Sequence, residues 1–165
     1  MTKTLIESRD AFAAAHPEER VTLNGREWGV IEAGAEGPVL LLIPGTLGRG
    51  DIFWQQIDAL KDRARIVAVS YPATGGVAEW VEDLALLMDQ RGIEKATVLG
   101  SSLGGYLVQF LAARYPEKVV RLLPANTLVS TEASRSRPPY TSDLNTAPVE
   151  ELRKGFAMAL GAWRE

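Results

Sequence analysis

The stretch VLGSSLGGYLVQFLAARYP, from Val98 to Pro116, changes abruptly from a strand pattern to a helix pattern. Three kinds of functional site begin in this way. A dinucleotide-binding turn would need a glycine at position 102, where a serine stands, and a P-loop would need a lysine that nothing near Gly100 supplies. The third pattern, G-x-S-x-G, fits Gly100–Gly104 without adjustment and predicts a nucleophilic serine between strand and helix.

Steric crowding explains why glycines stand two positions before and two positions after Ser102. At so sharp a turn, the residues two positions before and after the serine nearly collide, and glycine removes the side chains that would clash. The turn would leave the Ser102 hydroxyl exposed above the sheet, at the start of the next helix. Matches of this length also arise by chance where a helix packs closely on a strand, so the pattern by itself leaves both interpretations open.

The composition narrows the classes of function. The 165 residues suffice for one domain, and 46% hydrophobic with 24% charged residues is an ordinary globular balance. A net charge of -3 without a Lys/Arg cluster argues against a nucleic-acid partner, and the absence of cysteine excludes disulfides, thiolate metal sites and a cysteine nucleophile. Residues 1–20 are too charged for a signal peptide and no apolar run suits a membrane span, so we expect a cytoplasmic protein. We also expect neither a metal nor a cofactor.

Strand and helix patterns alternate before this stretch. Residues 4–15 predict a short helix, and VTLNGREWGVIEAG (21–34) predicts a β-hairpin because it contains an Asn-Gly pair. The apolar run Val39–Ile43 is typical of a strand covered on both faces. Asp51 is expected to cap a helix over about 52–61. The side chains expected to point inward from that helix are Ile52, Phe53, Ile57 and Leu60.

The alternation continues after it. Strands are expected in ARIVAVSYP (64–72), KATVLG (95–100) and EKVVRLLPANT (117–127). The inward stripes of the two intervening helices are Val77, Val81, Leu84 and Met88, and then Leu103, Leu107, Phe110 and Leu111. This order predicts an α/β fold, a mostly parallel sheet with helices on both faces.

The last part of the sequence changes in character. Residues 130–148 are polar, contain prolines and show no periodicity, which predicts a loop. Pro148 is well placed to open a final helix. The expected apolar face of that helix consists of Leu152, Phe156, Leu160 and Trp163.

In this order, the hairpin, LLLIPGTLG, IVAVSYP, VLGSSLGG and VVRLLPANT resemble the α/β-hydrolase fold over about residues 20–130. Within that fold they are most similar to the maspardin-like group. The resemblance divides the chain into an N-terminal helix and lead-in (1–19), the amino-terminal part of a hydrolase core (20–130), and a loop with the start of a cap helix (131–165).

The resemblance implies a role for several residues. Ser102 would be the nucleophile, and the backbone N–H groups of Leu103 and Thr46 would form the oxyanion hole. Leu47, Trp54 and Tyr71 would line the acyl pocket, although ordinary packing at strand ends explains these three equally well. The implied activity is hydrolysis of an ester, an amide or a similar small acyl substrate.

The sequence departs from the fold's pattern in two places. One is the loop expected to supply an oxyanion donor, and the other is the catalytic triad of serine, acid and histidine. Pro44-Gly45 stands where many members have His-Gly. No histidine follows Ser102, and the single histidine, His16, precedes the region where this fold places its base. Asn126 stands where some members have an acid. The amide of Asn126 cannot carry that charge, and the downstream acid candidates are Asp143, Glu150 and Glu151. We interpret the chain as an α/β-hydrolase fold that lacks its last strands, with little turnover expected.

Two other functions compete with hydrolysis. A non-catalytic hydrolase-like binding protein is the main alternative, because the triad need not be intact throughout a maspardin-like group. A nucleotide-binding domain is the weaker one, since the phosphate motifs fail. The strand near Val119–Ala125 would lie bare at the sheet edge, which predicts self-association or coverage by residues 130–165.

Overall fold

The computed structural model of the chain describes residues 4–34, 36–136, 143 and 146–162. The chain divides into two compact units, Met1–Leu128 and Val129–Glu165. The first unit holds one six-stranded sheet in the order β1-β2-β4-β3-β5-β6. Its strands are β1 (Glu19–Leu23), β2 (Arg26–Ala33), β3 (Val39–Ile43), β4 (Arg65–Ser70), β5 (Ala96–Ser101) and β6 (Val119–Ala125). Its helices are α1 (Leu5–Ala15), α2 (Trp54–Leu60), α3 (Val77–Gln90) and α4 (Leu103–Arg114), with 3₁₀ helices at Gly50–Phe53 and Pro116–Lys118.

An antiparallel hairpin forms one end of the sheet. β1 pairs with β2, and the turn residues Asn24 and Gly25 have φ of 46° and 81°. Both angles lie in the left-handed region that a tight two-residue hairpin turn requires, and an Asn-Gly pair adopts it at low cost. β2 also pairs with β4 in antiparallel fashion. The predicted hairpin is therefore confirmed.

The rest of the sheet is parallel, and its strand ends define one edge. β3 lies between β4 and β5, with Leu42 opposite Ala68 and Ile43 opposite Gly100. β5 pairs with β6, where Ser101 lies opposite Ala125. The loops that follow β3, β4 and β5 therefore leave the sheet at the same edge, which is where parallel α/β sheets place their sites.

Helices cover both faces of the sheet, as predicted. On one face Phe12 of α1 and Ile57 of α2 belong to a core cluster with Ile31, Leu42 and Ile66. On the other face, Leu84 of α3 and Leu107 of α4 belong to a second cluster. The sheet residues of that second cluster include Trp28, Leu41, Ile43, Val67, Val69 and Val98. Alternate residues of the central strands thus enter opposite cores, which explains their continuous apolar runs.

The start of α2 differs from the prediction. A 3₁₀ helix precedes it, and Asp51 makes no capping hydrogen bond. The Asp51 carboxylate instead accepts a 2.6 Å hydrogen bond from the Arg49 guanidinium. A 3₁₀ helix has fewer residues per turn than an α-helix, so the inward stripe shifts. Phe53 and Ile57 are buried as predicted, but Ile52 is 44% exposed.

α4 also buries a different set of residues from the predicted stripe. Leu107 and Leu111 are buried, together with Val108, whereas Phe110 is 44% exposed and packs edge-on against Tyr106. Gly104 and Gly105 are buried as well. Two glycines on the inner face bring the helix backbone close to the sheet, so the larger side chains pack around that contact.

The second unit contains helices α5 (Glu132–Arg135) and α6 (Val149–Ala162). The predicted final helix is confirmed, and Pro148 accepts hydrogen bonds from its first turn through its carbonyl. The segment predicted as a continuous loop contains a short helix, α5, among its described residues. Leu152 is half-buried, whereas the side chains of Phe156, Leu160 and Trp163 lie outside the described residues. Among the described helices, none has the length and apolar character to cross a membrane.

A buried carboxylate joins the hairpin to α3. Asp83 of α3 is fully buried and accepts hydrogen bonds from Asn24 (2.8 Å), Arg26 (2.6 and 2.7 Å) and Trp28 (2.9 Å). Burial by itself would raise the pKa of Asp83, but these hydrogen bonds and the Arg26 charge hold the pKa below its ordinary value. The turn and the first residues of β2 are therefore fixed to the helix across the sheet face.

We expect Asp83→Asn to lower the free energy of unfolding by about 3 kcal/mol at neutral pH, because buried donors lose a charged acceptor. The folded-state pKa is depressed, so the contribution is present above the unfolded pKa of about 3.9 and is lost as the pH falls through the folded-state value. Urea denaturation at neutral and acidic pH measures both effects. The control is Asp89→Asn on the same helix, whose exposed pairing with Lys118 is worth less than about 1 kcal/mol. Equal losses in the two variants would contradict the role of Asp83.

Candidate active site

Ser102 lies at the junction between β5 and α4 in a rare backbone conformation. Its φ and ψ are 53° and -115°, outside the regions that residues with a side chain normally adopt. The side chain is exposed. Such strain persists only where the surroundings impose it, and it is common at functional sites. The structure thus places Ser102 on the kind of turn that the motif predicts.

The surrounding glycines show what imposes this turn. A Cβ on Gly100 would lie 2.1 Å from the Gly104 carbonyl oxygen, and a Cβ on Gly104 would lie 2.3 Å from that of Ile43. A Cβ on Gly105 would lie 2.7 Å from Thr127 Cβ. Real Cβ atoms do not approach other atoms so closely. The end of β5, the first turn of α4 and the end of β3 are therefore in direct backbone contact.

Hydrogen bonds fix the backbone of Ser102 on both sides. Its N–H donates to the Ala125 carbonyl at 2.9 Å, at the end of β6. Its own carbonyl accepts from the Tyr106 N–H at 3.1 Å and from the Thr127 hydroxyl at 2.7 Å. Among the described residues, the Ser102 hydroxyl makes no hydrogen bond of its own. The backbone is thus held while the hydroxyl stays available to a ligand.

The loop after β3 lies directly beside Ser102. A Cβ built on Gly45 would lie 3.3 Å from Ser102 Cβ and 3.9 Å from its Oγ. Thr46 follows Gly45, and Leu103 opens α4 with an N–H that belongs to the positive end of that helix. Both predicted oxyanion donors therefore belong to segments that flank the serine. Their role as donors remains a prediction.

A cleft of about 530 Å³ brings several predicted site residues together. Thr46, Leu47, Tyr71 and Leu103 all line it. Its lining also includes residues that the sequence analysis did not single out, among them Glu18, Arg20, Arg49 and Trp80. No sequence motif contains Trp80, which follows the Gly75-Gly76 pair. Only the fold shows that Trp80 lines the same cleft as residues of the loops after β3 and β4. The cleft is aromatic along one wall and charged at Glu18, Arg20 and Arg49.

Trp54 and His16 lie elsewhere. Trp54 packs against Phe12, with ring centroids 6.3 Å apart. It lines a second cavity of about 460 Å³, which His16 also lines and which shares Glu18 and Arg49 with the cleft. Trp54 is partly buried and packs against the core cluster that contains Phe12 and Ile57. We therefore do not propose an acyl-pocket role for Trp54. The His16 ring lies 4.9 Å from that of Phe12 and does not line the cleft.

Asn126, which stands where some members of the fold have an acid, and the downstream acid candidates each have their own contacts. Asn126 follows β6 with a φ of 49° and is exposed. In the second unit, the Asp143 carbonyl accepts hydrogen bonds from Thr146 and Ala147, and the Glu150 carboxylate pairs with Arg153 at 2.9 Å. Within the described residues, no cluster of three His, Asp or Glu side chains has an arrangement that could hold a metal ion.

We predict that Gly100→Ala lowers the free energy of unfolding by about 1–3 kcal/mol, because the new methyl group would collide with backbone atoms that cannot rotate away. Chemical denaturation measures the loss. Gly155→Ala in α6 is the matched control, since a methyl group there would meet no atom within 4 Å and alanine favours a helix. Equal stability of the two variants would show that the contact between β5 and α4 tolerates a side chain.

The chain is similar to several known proteins. A pimeloyl-[acyl-carrier protein] methyl ester esterase from Vibrio campbellii is 30% identical over 129 residues, which are 76% of this chain and 51% of the relative. Maspardin from Rattus norvegicus is 33% identical over 98 residues, 58% of this chain and 37% of the relative. The crystal structure of a hydrolase from Pseudomonas aeruginosa PA01 matches with a TM-score of 0.62 at 28% identity, covering 67% of this chain and 46% of that one.

The chain spans about half, or less, of the length of these proteins. The sequence profile of the alpha/beta hydrolase fold family matches residues 38–152, from the start of β3 into α6. That match includes the turn at Ser102 and the loop beside it. The chain therefore belongs to the alpha/beta hydrolase fold family.

Proposed function

We propose that this protein is a serine hydrolase that acts on an ester, an amide or a similar small acyl substrate through Ser102. The observation that carries the proposal is the strained, exposed Ser102 at the strand–helix junction, with the Gly45 loop against it. The esterase and the hydrolase that the chain resembles support the same class of reaction. The substrate would occupy the cleft that Thr46 and Leu47 line.

In the proposed reaction, the Ser102 oxygen attacks the acyl carbonyl carbon and the carbonyl oxygen becomes negative. The N–H groups of Leu103 and Thr46 would donate to that oxygen, and removal of one such donor typically costs about 3–4 kcal/mol of transition-state stabilisation. A base must also take the serine proton. The Ser102 hydroxyl has no hydrogen-bond partner among the described residues that could act as this base. We therefore propose that the 165-residue chain hydrolyses its substrate slowly.

The test compares Ser102→Ala with Ser101→Ala, a variant of the neighbouring serine. We expect a fluorophosphonate probe to label the wild-type chain slowly, Ser101→Ala similarly, and Ser102→Ala not at all. Ester turnover should stay within the residual range of about 10³–10⁴ over water that remains when a triad member is missing. Labelling that persists in Ser102→Ala would contradict the proposal. Efficient turnover that His16→Ala abolishes would contradict our exclusion of His16 as the base.

A second candidate function is binding without catalysis, and the position of β6 as the last strand of the sheet favours it. Val120 and Leu123 in this strand are 55% and 44% exposed. An edge strand offers unpaired backbone groups to another strand. We propose that a second copy of the chain pairs there, independently of whether Ser102 reacts.

If β6 mediates self-association, sedimentation velocity will show a larger species that grows with protein concentration. Val120→Lys should abolish it, because a charged side chain on an edge strand opposes pairing. Val149→Lys replaces a similarly exposed valine in α6 and serves as the control. A monomer at every concentration, or equal loss in both variants, would argue against pairing through β6.

A further inference from the structure

Tyr71 contacts the loop after β3 at two separate points. Its hydroxyl donates to the Pro44 carbonyl at 2.7 Å, and its backbone N–H donates to the Gly48 carbonyl at 2.8 Å. A third hydrogen bond, from the Gly48 N–H to the Gly45 carbonyl at 2.9 Å, closes the loop on itself. One residue at the end of β4 therefore holds both ends of the segment that contains Gly45 and Thr46.

The contact at Pro44 fixes the orientation of a peptide group. A peptide bond is planar, so holding the Pro44 carbonyl also sets the direction of the Gly45 N–H on its opposite side. The Pro44 oxygen is confined from another direction as well, because a Cβ on Gly104 would lie 2.4 Å from it. Gly45 is the residue that lies against Ser102. The hydroxyl of Tyr71 thus acts on the loop at the point nearest the serine.

The ring of Tyr71 is itself immobilised. It stacks on Trp80, with centroids 4.7 Å apart and planes 11° apart, and it meets the edge of Trp28 at 5.9 Å. Trp28 donates to the Asp83 carboxylate, and Trp80 donates to the Thr74 carbonyl at 3.0 Å. Burial raises the pKa of the Tyr71 phenol above its ordinary value, so the phenol keeps its donor proton at neutral pH.

We propose that Tyr71 is a positioning residue, which holds the loop Pro44–Gly48 in place as one wall of the oxyanion site beside Ser102. This role rests on the proposed hydrolase function, and it differs from the substrate-lining role that the family resemblance implies for Tyr71. Tyr71 does not need to touch the substrate. It acts through the loop, and its effect is therefore confined to ligands that place negative charge on the oxyanion position.

Phenylboronic acid and N-methylbenzamide form the pair of probes. The boronic acid reacts with Ser102 by forming a B–O bond while the hydroxyl proton passes to the buffer, which leaves a tetrahedral, negatively charged boron. The amide has a similar ring but stays planar and neutral. We expect Tyr71→Phe to weaken boronate binding between about 10- and 100-fold, the range for a misplaced oxyanion donor, and to leave amide binding within about twofold. Titrations followed by NMR give both affinities.

Amide hydrogen exchange provides a measurement that does not depend on reactivity. In Tyr71→Phe, exchange of the Gly48 N–H should become about tenfold faster while the amides of β3 and β5 keep their rates, because only the loop is released. Tyr115→Phe is the matched control, since it also removes one phenolic hydrogen bond, the 2.6 Å contact with Glu82, from a residue that does not line the cleft. That variant should change neither the loop exchange nor the boronate affinity.

The outcomes separate the two proposals. Unchanged Gly48 exchange, or equal weakening of boronate and amide binding, would overturn the positioning role of Tyr71. A wild-type chain that binds the boronate no better than Ser102→Ala would overturn the proposed hydrolase function instead. The exchange measurement would then still decide whether Tyr71 holds the loop.

Discussion

The backbone contact between Gly100 and Gly104 is the constraint on which the rest of the site depends. No side chain fits between the end of β5 and the first turn of α4, so the chain must reverse within the few residues between these glycines. That reversal forces Ser102 into its positive φ. Because Gly104 also contacts the carbonyls of Ile43 and Pro44, the same contact brings the loop after β3 to the serine.

A second set of contacts supports that loop from the opposite side. Trp28 donates to the buried Asp83 carboxylate and packs with its edge on Tyr71, whose hydroxyl holds Pro44. The hairpin at the antiparallel end of the sheet is therefore linked to the loop beside Ser102 through two aromatic rings. The indole N–H of Trp28 and the hydroxyl of Tyr71 each have a hydrogen-bond partner, and a buried polar group without one would cost stability.

Local patterns predicted the parts of the fold that local physics determines. The Asn-Gly turn, the apolar run Val39–Ile43 and the glycines around Ser102 each dictate a backbone geometry by themselves, and the structure contains each of them. Ile52 was predicted wrongly because a 3₁₀ helix shifts the phase of the helix that follows, which periodicity alone does not show. The contact of Tyr71 with Pro44 joins residues 27 positions apart, so only the register of β3 and β4 reveals it.

The carboxylate of Asp83 also has a consequence for the order in which the chain assembles. Its three donors, Asn24, Arg26 and Trp28, precede it by 59, 57 and 55 residues. During synthesis the hairpin leaves the ribosome well before this acceptor exists, and Arg26 stays solvated until α3 has formed. Contacts between such distant residues close late. The hairpin therefore cannot be fixed through Asp83 before α3 has been synthesised, although the hairpin comes first in the sequence.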